Sequence, residues 1–266
     1  MADTLSIEKT EHVTTITLEI PTMPPKFFSE IGAAFRAIAA DREVRAVVLR
    51  SKAKHFSYGL DLSASLQELG GAMGSGSASS RLDLHRHILE LQAEFDAVAA
   101  CPVPVIAAIH GWCIGGGVDL ASACDLRIAT RDSKFSVRET RIAIVADLGS
   151  LQRLPRLIGQ ANTRELAFTG KDIDAARAKE IGLVNQVVDD VAALGAAAAA
   201  MAKEIADNPP LTVRGVKRVL DFGEGKPIAD GLHYVAAWNA AFLASEDLGE
   251  ALAAFGEKRP PRFKGR

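Results

Sequence analysis

The amino-acid sequence predicts an α/β fold on the basis of three observations. Short β-branched segments alternate with longer helical segments up to about residue 188, as in proteins whose helices cover a largely parallel sheet. Residues 102–111, PVPVIAAIHG, are apolar without alternation, which is typical of a strand that is covered on both faces. Beyond residue 190 only helical patterns follow.

The first half of the chain shows these elements one after another. Residues 5–9 and 12–20 alternate between apolar and polar positions and predict two strands joined by a turn. Residues 26–41 predict a helix, because Phe28, Ile31, Phe35 and Ile38 recur at helical spacing and form one apolar stripe. The remaining predicted elements are a strand at 44–51, a loop at 52–63 and a long helix at 81–101.

Between this loop and the long helix, residues 69–80 read LGGAMGSGSASS. Glycine, serine and alanine in such proportion predict a flexible connector. A sharper hypothesis is that this segment forms a mobile lid over a substrate channel.

The last part of the chain predicts a separate helical region. We place a boundary near residue 195, which gives an α/β core at 1–195 and a C-terminal helical region at 196–266. Residues 191–207 are rich in alanine and predict a tightly packed helix. Prolines 209, 210 and 227 are expected at helix starts, where their missing N–H groups leave no acceptor unpaired.

Composition restricts the class of protein. The chain has 266 residues, 48% of them hydrophobic and 24% charged, with a net charge of −2. These values predict a soluble globular protein without electrostatic attraction to nucleic acid or an anionic membrane. Three cysteines without a C-x-x-C pair favour reduced thiols, no metal site and a cytoplasmic location. No apolar signal core or membrane-spanning run is seen.

The clearest local feature is a glycine-rich strand–turn–helix stretch, in which Gly115, Gly116 and Gly117 are consecutive. A helix that starts near Gly115 would direct its free N–H groups toward an anion or a developing oxyanion. Close packing of a glycine-rich turn is the alternative. A dinucleotide fingerprint would require glycine at the position of Leu120, and neither a P-loop nor a G-x-S-x-G motif is present.

Three acids follow this turn, at Asp119, Glu139 and Asp147. The surroundings of the last two are apolar or small, where a carboxylate needs a partner or a function. Taken singly, each acid also has a structural interpretation. Asp119 can be a first-turn acid that the helix dipole favours, Glu139 can pair with Arg138 or Arg141, and Asp147 can cap the next helix.

Residues 105–129, VIAAIHGWCIGGGVDLASACDLRIA, resemble the characteristic motif of the crotonase superfamily, also called the enoyl-CoA hydratase/isomerase superfamily. Residues 47–62, VVLRSKAKHFSYGLDL, are similar to its first oxyanion loop, and LQRLPRLIG and GLVNQVV also match. The resemblance covers nearly the whole chain. It implies a crotonase, or ClpP-like, spiral of ββα units with a C-terminal helical oligomerisation region.

The acids select a subgroup within this superfamily. Enoyl-CoA hydratases are expected to carry two glutamates at the first two acidic positions, whereas this chain has Asp119 and Glu139, with Asp147 as a third acid. Intervals of 20 and 8 residues between these three acids resemble the Δ3,5-Δ2,4-dienoyl-CoA isomerases. An enoyl-CoA hydratase and a Δ3-Δ2-enoyl-CoA isomerase remain the alternatives.

The resemblance also implies a substrate, an assembly and a pathway. The substrate would be an acyl-CoA thioester bound by the core, and no cofactor is expected beyond the coenzyme A of the substrate. The assembly would be a homotrimer or homohexamer formed through the helical region. The reaction would move two double bonds from positions 3,5 to 2,4 in fatty acid β-oxidation.

Site residues are carried over by position. The resemblance implies that the backbone N–H groups of Leu60 and Gly116 form an oxyanion hole. We expect Asp147 to act as the base at C2 and Glu139 as the acid at C6, with the exchanged assignment as the alternative, and Asp119 to tune or hydrogen-bond this pair. Substrate contacts are expected from residues in and before the two loops, namely Lys54, Phe56, Tyr58, Gly59 and Gly115.

Overall fold

A six-stranded sheet organises the fold in the computed structural model, which describes residues 4–65, 67 and 77–266. The segment predicted as a flexible loop or lid falls mainly outside the described residues, so that prediction stays open. The strands lie in the order β1-β2-β4-β6-β8-β11, and only β1 and β2 are antiparallel. Their bounds are β1 Leu5–Thr10, β2 Val13–Leu18, β4 Ala46–Ser51, β6 Val105–Ile109, β8 Leu126–Thr130 and β11 Gln186–Val188.

Shorter strands form a second layer. Two of them pair in parallel, β3 Thr22–Met23 with β5 Gly59–Leu60. Three others form a small sheet in which β9 lies between β7 and β10, with bounds β7 Trp112–Ile114, β9 Lys134–Ser136 and β10 Ile173–Asp174. A parallel bridge between Ser57 and Cys113 connects the two groups.

The chain alternates between the two layers before it enters a helix. Each of the pairs β2–β3, β6–β7 and β8–β9 takes one strand from each layer and is followed by helix. This confirms the predicted α/β spiral of ββα units. A parallel sheet requires crossovers of this kind, because the chain must return to the same edge before each new strand.

The helices account for most of the remaining described residues. They are α1 Pro25–Ala40, α2 Ala78–Ala99, α3 Gly116–Ala123, α4 Ser150–Thr169, α5 Ala175–Glu180, α6 Val191–Ala206, α7 Pro210–Gly223, α8 Ile228–Phe242 and α9 Glu246–Glu257. A 3₁₀ helix spans Glu139–Ile142. The helices predicted at 26–41 and 81–101 correspond to α1 and α2. Prolines 209, 210 and 227 lie at helix starts, as predicted.

The main core lies on the sheet face that α1 and α2 cover. The α1 stripe that the sequence predicts is buried, since Phe28, Ile31, Phe35 and Ile38 are at most 6% exposed. Phe95 of α2 is fully buried, and its ring centroid lies 5.3 Å from that of Phe28. Burying a side chain of this size contributes about 1.5–3 kcal/mol relative to leaving it exposed.

The opposite face of the sheet is covered by α6. Leu194, Ala198 and Ala202 recur at four-residue intervals on α6 and are buried with Val48 and Ile106. The small alanine side chains let the helix approach the sheet closely, which confirms the predicted tight packing of this run. The division of the chain into 1–195 and 196–266 stays a prediction, and residue 195 lies inside α6.

The last three helices extend beyond the sheet. α7 is tied to the core by Lys217, whose Nζ donates to Oδ2 of Asp125 at 2.6 Å. α8 and α9 leave large apolar side chains exposed, including Ile228 (83%), Leu232 (62%) and Phe255 (87%). Among the helices of the described residues, none is both long and apolar enough to cross a membrane.

Candidate active site

Residues 57–60 and residues 114–117 form two backbone segments of the second layer that pack closely against each other. Gly59 adopts φ +80°, and a Cβ built there would lie 2.8 Å from both Gly116 N and Ile114 O. A Cβ built on Gly117 would lie 3.0 Å from Ser57 O. The glycines therefore let residues 57–60 pack directly on residues 114–117, since any side chain would push the segments apart.

Hydrogen bonds fix the relative position of the two segments. Ser57 N donates to Trp112 O at 3.0 Å, and Ile114 N donates to Ser57 O at 3.0 Å. The Ser57 hydroxyl accepts the Gly59 N–H at 3.0 Å and donates to Pro21 O at 3.2 Å. This network holds Leu60 next to the start of α3.

The glycine turn opens into α3. Gly115 has φ +54°, a conformation that side-chain-bearing residues rarely adopt, and its N–H donates to Ser136 O. Gly116 is the first residue of α3, so helix geometry provides no acceptor for its N–H. A Cβ built on Gly116 would lie 2.9 Å from Cδ1 of Leu60. The structure thus shows both the close packing and the helix N-terminus, and the binding of an oxyanion at this N-terminus stays a prediction.

A cavity of about 240 Å³ lies in front of this turn. Its walls are formed by residues of four segments: Tyr58, Leu60, Leu62, Ile114, Gly115, Gly116, Asp119, Arg138, Glu139, Arg141, Ile142, Ile144, Asp147 and Leu148. All three acids predicted from the sequence line it. Most of the other side chains are apolar, so the cavity suits an apolar ligand that is also contacted by ionisable groups.

Asp119 is the most deeply buried of the three acids, with 1% exposure. Its Oδ1 accepts the backbone N–H of Ser150, the first residue of α4, at 2.6 Å. Burial raises the pKa of Asp119 to about 6, against the lowering effect of the Ser150 hydrogen bond. Asp119 therefore caps a helix 31 residues further along the chain and also faces the cavity.

Glu139 begins the 3₁₀ helix and stands over the glycine turn. A Cβ built on Gly115 would lie 3.2 Å from its Oε1. Its Oε2 is buried and has no hydrogen-bond partner among the described residues. Burial, together with the nearby charges of Asp119 and Asp147, raises the pKa of Glu139 to about 7. This carboxyl therefore binds a proton readily near neutral pH.

The proposed pairing of Glu139 with a neighbouring arginine is not what the structure shows. Arg138 instead bonds Asp172, with Nη2 2.6 Å from Oδ1. The Nε of Arg141 faces Thr169 O at 3.5 Å. Glu139 thus faces the cavity and, among the described residues, forms no ion pair that would hold it ionised.

Asp147 lies in the turn before α4 and is half-buried, which raises the pKa of its carboxyl. The sequence left open that Asp147 caps the following helix. That interpretation is wrong, because the N-cap position is Gly149 and the free Ser150 N–H is bound by Asp119. The side chain of Asp147 is therefore not used by the helix end and lines the cavity.

Of the predicted substrate-contacting residues, Tyr58 and Gly115 line the cavity and Gly59 lies directly behind Gly116. Phe56 does not reach it. The Phe56 side chain is 0% exposed within the hydrophobic core, so it supports the loop from behind. Lys54 is exposed and lies outside the cavity wall.

The structure also brings to the cavity wall residues that the sequence did not assign to a binding site. Ile142 and Ile144 follow Glu139 closely, and Arg138 and Arg141 flank it on either side. Their proximity in sequence to Glu139 was the only signal available for them. Ser150 could not be found this way, because its role is to donate a backbone N–H.

Comparison with known proteins agrees with this fold. Residues 8–266 match the family model described as enoyl-CoA hydratase/isomerase. The chain therefore belongs to the enoyl-CoA hydratase/isomerase family.

Within the family, similar relatives include dienoyl-CoA isomerases. The mitochondrial Delta(3,5)-Delta(2,4)-dienoyl-CoA isomerase of Dictyostelium discoideum is 42% identical, over 91% of this chain and 83% of that protein. The peroxisomal enzyme of the same name from Arabidopsis thaliana is 41% identical, over 97% of this chain and 91% of that protein. The crystal structure of an enoyl-CoA hydratase from Bacillus anthracis superposes with a TM-score of 0.89 at 32% identity, covering 99% of this chain and 100% of that one.

Proposed function

We propose that the protein isomerises 3,5-dienoyl-CoA thioesters to 2,4-dienoyl-CoA thioesters. The observation that carries the proposal is the convergence of Asp119, Glu139 and Asp147 on one cavity beside the glycine turn. The names of the two relatives above give the same reaction. Two carboxyls at separate places in one pocket suit a reaction that moves protons between distant carbons of one acyl chain.

The reaction consists of two proton transfers. The Asp147 carboxylate removes a proton from C2, and the electron pair of that C–H bond moves into the diene system and onto the thioester oxygen. The dienolate then takes a proton at C6 from the Glu139 carboxyl, which leaves double bonds at positions 2 and 4. Asp147 ends protonated and Glu139 ionised, so Asp147 must lose a proton and Glu139 must regain one before the next turnover.

The assignment of acid and base follows from the surroundings of the two carboxyls. Glu139 lies near Asp119 and Asp147, which helps to raise its pKa to about 7. A large fraction of the Glu139 carboxyl is therefore protonated at neutral pH. Asp147 is less buried than Asp119 and is not hydrogen-bonded by another side chain of the described residues. Two carboxyls whose environments differ in this way can serve as acid and base together.

Negative charge on the thioester oxygen needs donors. We assign the backbone N–H groups of Leu60 and Gly116, because the two residues are in contact and both line the cavity. The helix dipole of α3 adds to the stabilisation at Gly116. Removing one oxyanion-hole donor costs about 2.7–4 kcal/mol of transition-state stabilisation in the serine protease subtilisin.

The proposal extends to the ligand and the assembly. The apolar side chains of Leu62, Ile142 and Ile144 would contact the acyl chain, and no cofactor besides the coenzyme A of the substrate would take part. The exposed apolar side chains of α8 and α9 support assembly as a homotrimer or homohexamer. A role in fatty acid β-oxidation and a cytoplasmic location are also proposed, although the two relatives are named mitochondrial and peroxisomal.

The test is an assay on the purified protein with 3,5-dienoyl-CoA thioesters of several chain lengths. Conversion produces the conjugated 2,4-dienoyl thioester, whose ultraviolet absorbance is followed. Hydration of crotonyl-CoA is measured on the same preparation, since the superposing Bacillus anthracis structure is named an enoyl-CoA hydratase. Isomerisation that is much faster than hydration supports the proposal, and hydration without isomerisation refutes it.

A further inference from the structure

The carboxylate of Asp147 depends on its backbone for its direction. No side chain of the described residues donates a hydrogen bond to this carboxylate, which lies in the turn between the 3₁₀ helix and α4. The turn is flanked by residues whose φ angles are positive, Ala143 at +60° and Gly149 at +116°. Whatever holds the backbone of residues 147–149 therefore also aims the Asp147 side chain.

Two side chains hold consecutive carbonyl groups of this turn. Nε2 of Gln92 donates to Asp147 O at 2.6 Å. Nη1 of Arg153 donates to Leu148 O at 3.1 Å. Gln92 and Arg153 lie outside the cavity wall, so they reach the site only through the backbone that they bind.

Both hydrogen bonds depend on side chains on one face of α2, since Gln92 belongs to this helix and Arg153 is bound by its Asp96. Nη2 of Arg153 donates to Oδ1 of Asp96 at 2.6 Å. Asp96 follows Gln92 by four residues, which places the two side chains on the same side of the helix. α2 thus holds the turn at two adjacent points, once directly and once through the guanidinium of Arg153.

The glycine at the end of the turn fits this arrangement. A Cβ built on Gly149 would lie 1.9 Å from Nη1 of Arg153 and 2.8 Å from its Cζ. A side chain at position 149 would therefore displace the guanidinium from Leu148 O. The positive φ of Gly149 also brings the chain from Asp147 into α4 with Ser150 N–H directed at Asp119.

We infer that Gln92 and the Arg153–Asp96 pair are positioning residues for Asp147, which aim its carboxylate at the substrate by fixing the two carbonyl groups of its turn. The inference rests on the proposed isomerase function for its kinetic consequences. Its structural part, that Gln92 restrains the turn, is independent of the reaction. Misplacing a reacting group by about 1 Å can lower a rate about 100-fold.

The test compares Gln92→Leu with a matched control, Asn162→Leu. Asn162 also donates a side-chain amide to a backbone carbonyl, Ile158 O at 2.8 Å, but it lies outside the cavity wall and the 147–149 turn. We expect kcat for dienoyl isomerisation to fall 10- to 100-fold in Gln92→Leu, with KM within about twofold of wild type. Asn162→Leu should leave both parameters unchanged. Gln92→Met replaces the leucine variant if the latter does not fold.

A double variant separates a positioning role from a general structural role. If Gln92 acts through Asp147, then Gln92→Leu lowers kcat no further in a protein that already carries Asp147→Asn. An equal loss in both backgrounds, or an unchanged kcat in the single variant, overturns the inference.

Hydrogen exchange gives a readout that does not require turnover. The amides of residues 148–150 should exchange at least about tenfold faster in Gln92→Leu than in wild type, with no change there in Asn162→Leu. Unchanged exchange at these amides overturns the inference even if kcat falls. If wild-type protein does not isomerise dienoyl thioesters, the proposed function fails, while faster exchange in Gln92→Leu still supports the restraint of the turn.

Discussion

Oδ1 of Asp119 accepts the backbone N–H of Ser150 at 2.6 Å, so the acid that follows the glycine turn also caps the helix that follows Asp147. One carboxylate thereby connects the two halves of the site, although 31 residues separate it from its donor. Asp119 therefore caps α4 and also lines the cavity, so its structural role is compatible with the proposed role beside Glu139.

Substitutions of Asp119 should separate these two roles. Asp119→Asn keeps an oxygen that can accept the Ser150 N–H, whereas Asp119→Ala leaves this buried donor unpaired. We expect Asp119→Ala to lower the free energy of unfolding by about 1–3 kcal/mol more than Asp119→Asn does. Urea denaturation at pH 7 measures both. Equal losses in the two variants would show that the cap contributes nothing to stability.

Asp147→Asn removes the proposed base while preserving the size of the side chain. We expect kcat for dienoyl isomerisation to fall about 10²- to 10⁴-fold, as is usual when a general base is lost. Asp189→Asn is the control, because Asp189 is exposed and pairs only with Arg131 among the described residues. An isomerisation rate in Asp147→Asn close to that of wild type would exclude Asp147 as the base.

The pH dependence of kcat/KM should report the pKa of Glu139, the proposed general acid. The proposed mechanism needs a protonated Glu139, whose pKa is raised to about 7, so kcat/KM should fall as pH rises above about 7. The negative charge of Asp119 is one cause of this raised pKa. In Asp119→Asn the alkaline limb should therefore move to lower pH. A limb at the same pH in both proteins would mean that it belongs to another group or that the two acids are not coupled.

Glu139 should also make stability depend on pH. Its pKa is about 7 in the folded protein against the ordinary value of 4.5, so folding favours the protonated form. The resulting stabilisation is complete below pH 4.5 and is lost as pH rises through 7. Glu139→Gln cannot ionise, and between pH 5 and 8 it should gain about 1–3 kcal/mol of unfolding free energy relative to wild type. A difference that is constant with pH, measured by denaturation at each pH, would contradict this.

The close approach of the two glycine segments can be tested with Gly59→Ala. The added methyl would lie 2.8 Å from Gly116 N and Ile114 O at a residue whose φ is +80°. We expect a loss of about 2–4 kcal/mol of stability, because neither backbone can move aside without disturbing the other. Gly223→Ala is the control, since a Cβ there meets nothing within 4 Å. Thermal unfolding of both variants should show a lowered Tm only for Gly59→Ala.

The sequence alone determined the elements of the fold and the identity of the acids. The α1 stripe of Phe28, Ile31, Phe35 and Ile38 follows from helical periodicity, which requires only local geometry. The three acids were found because a residue type at a fixed interval can be compared with a family pattern. None of this requires knowledge of what packs against what.

The tertiary structure alone decided how those acids are held. Periodicity gives the face on which a side chain lies but not its partner, so the sequence left Asp147 open as a helix cap, whereas the structure gives the cap to Asp119. The sequence placed Phe56 among the substrate-contacting residues of the binding loop, whereas packing buries its side chain in the core. Gln92 reaches Asp147 across 55 residues of chain, and a contact of that range is fixed only when α2 packs beside the turn.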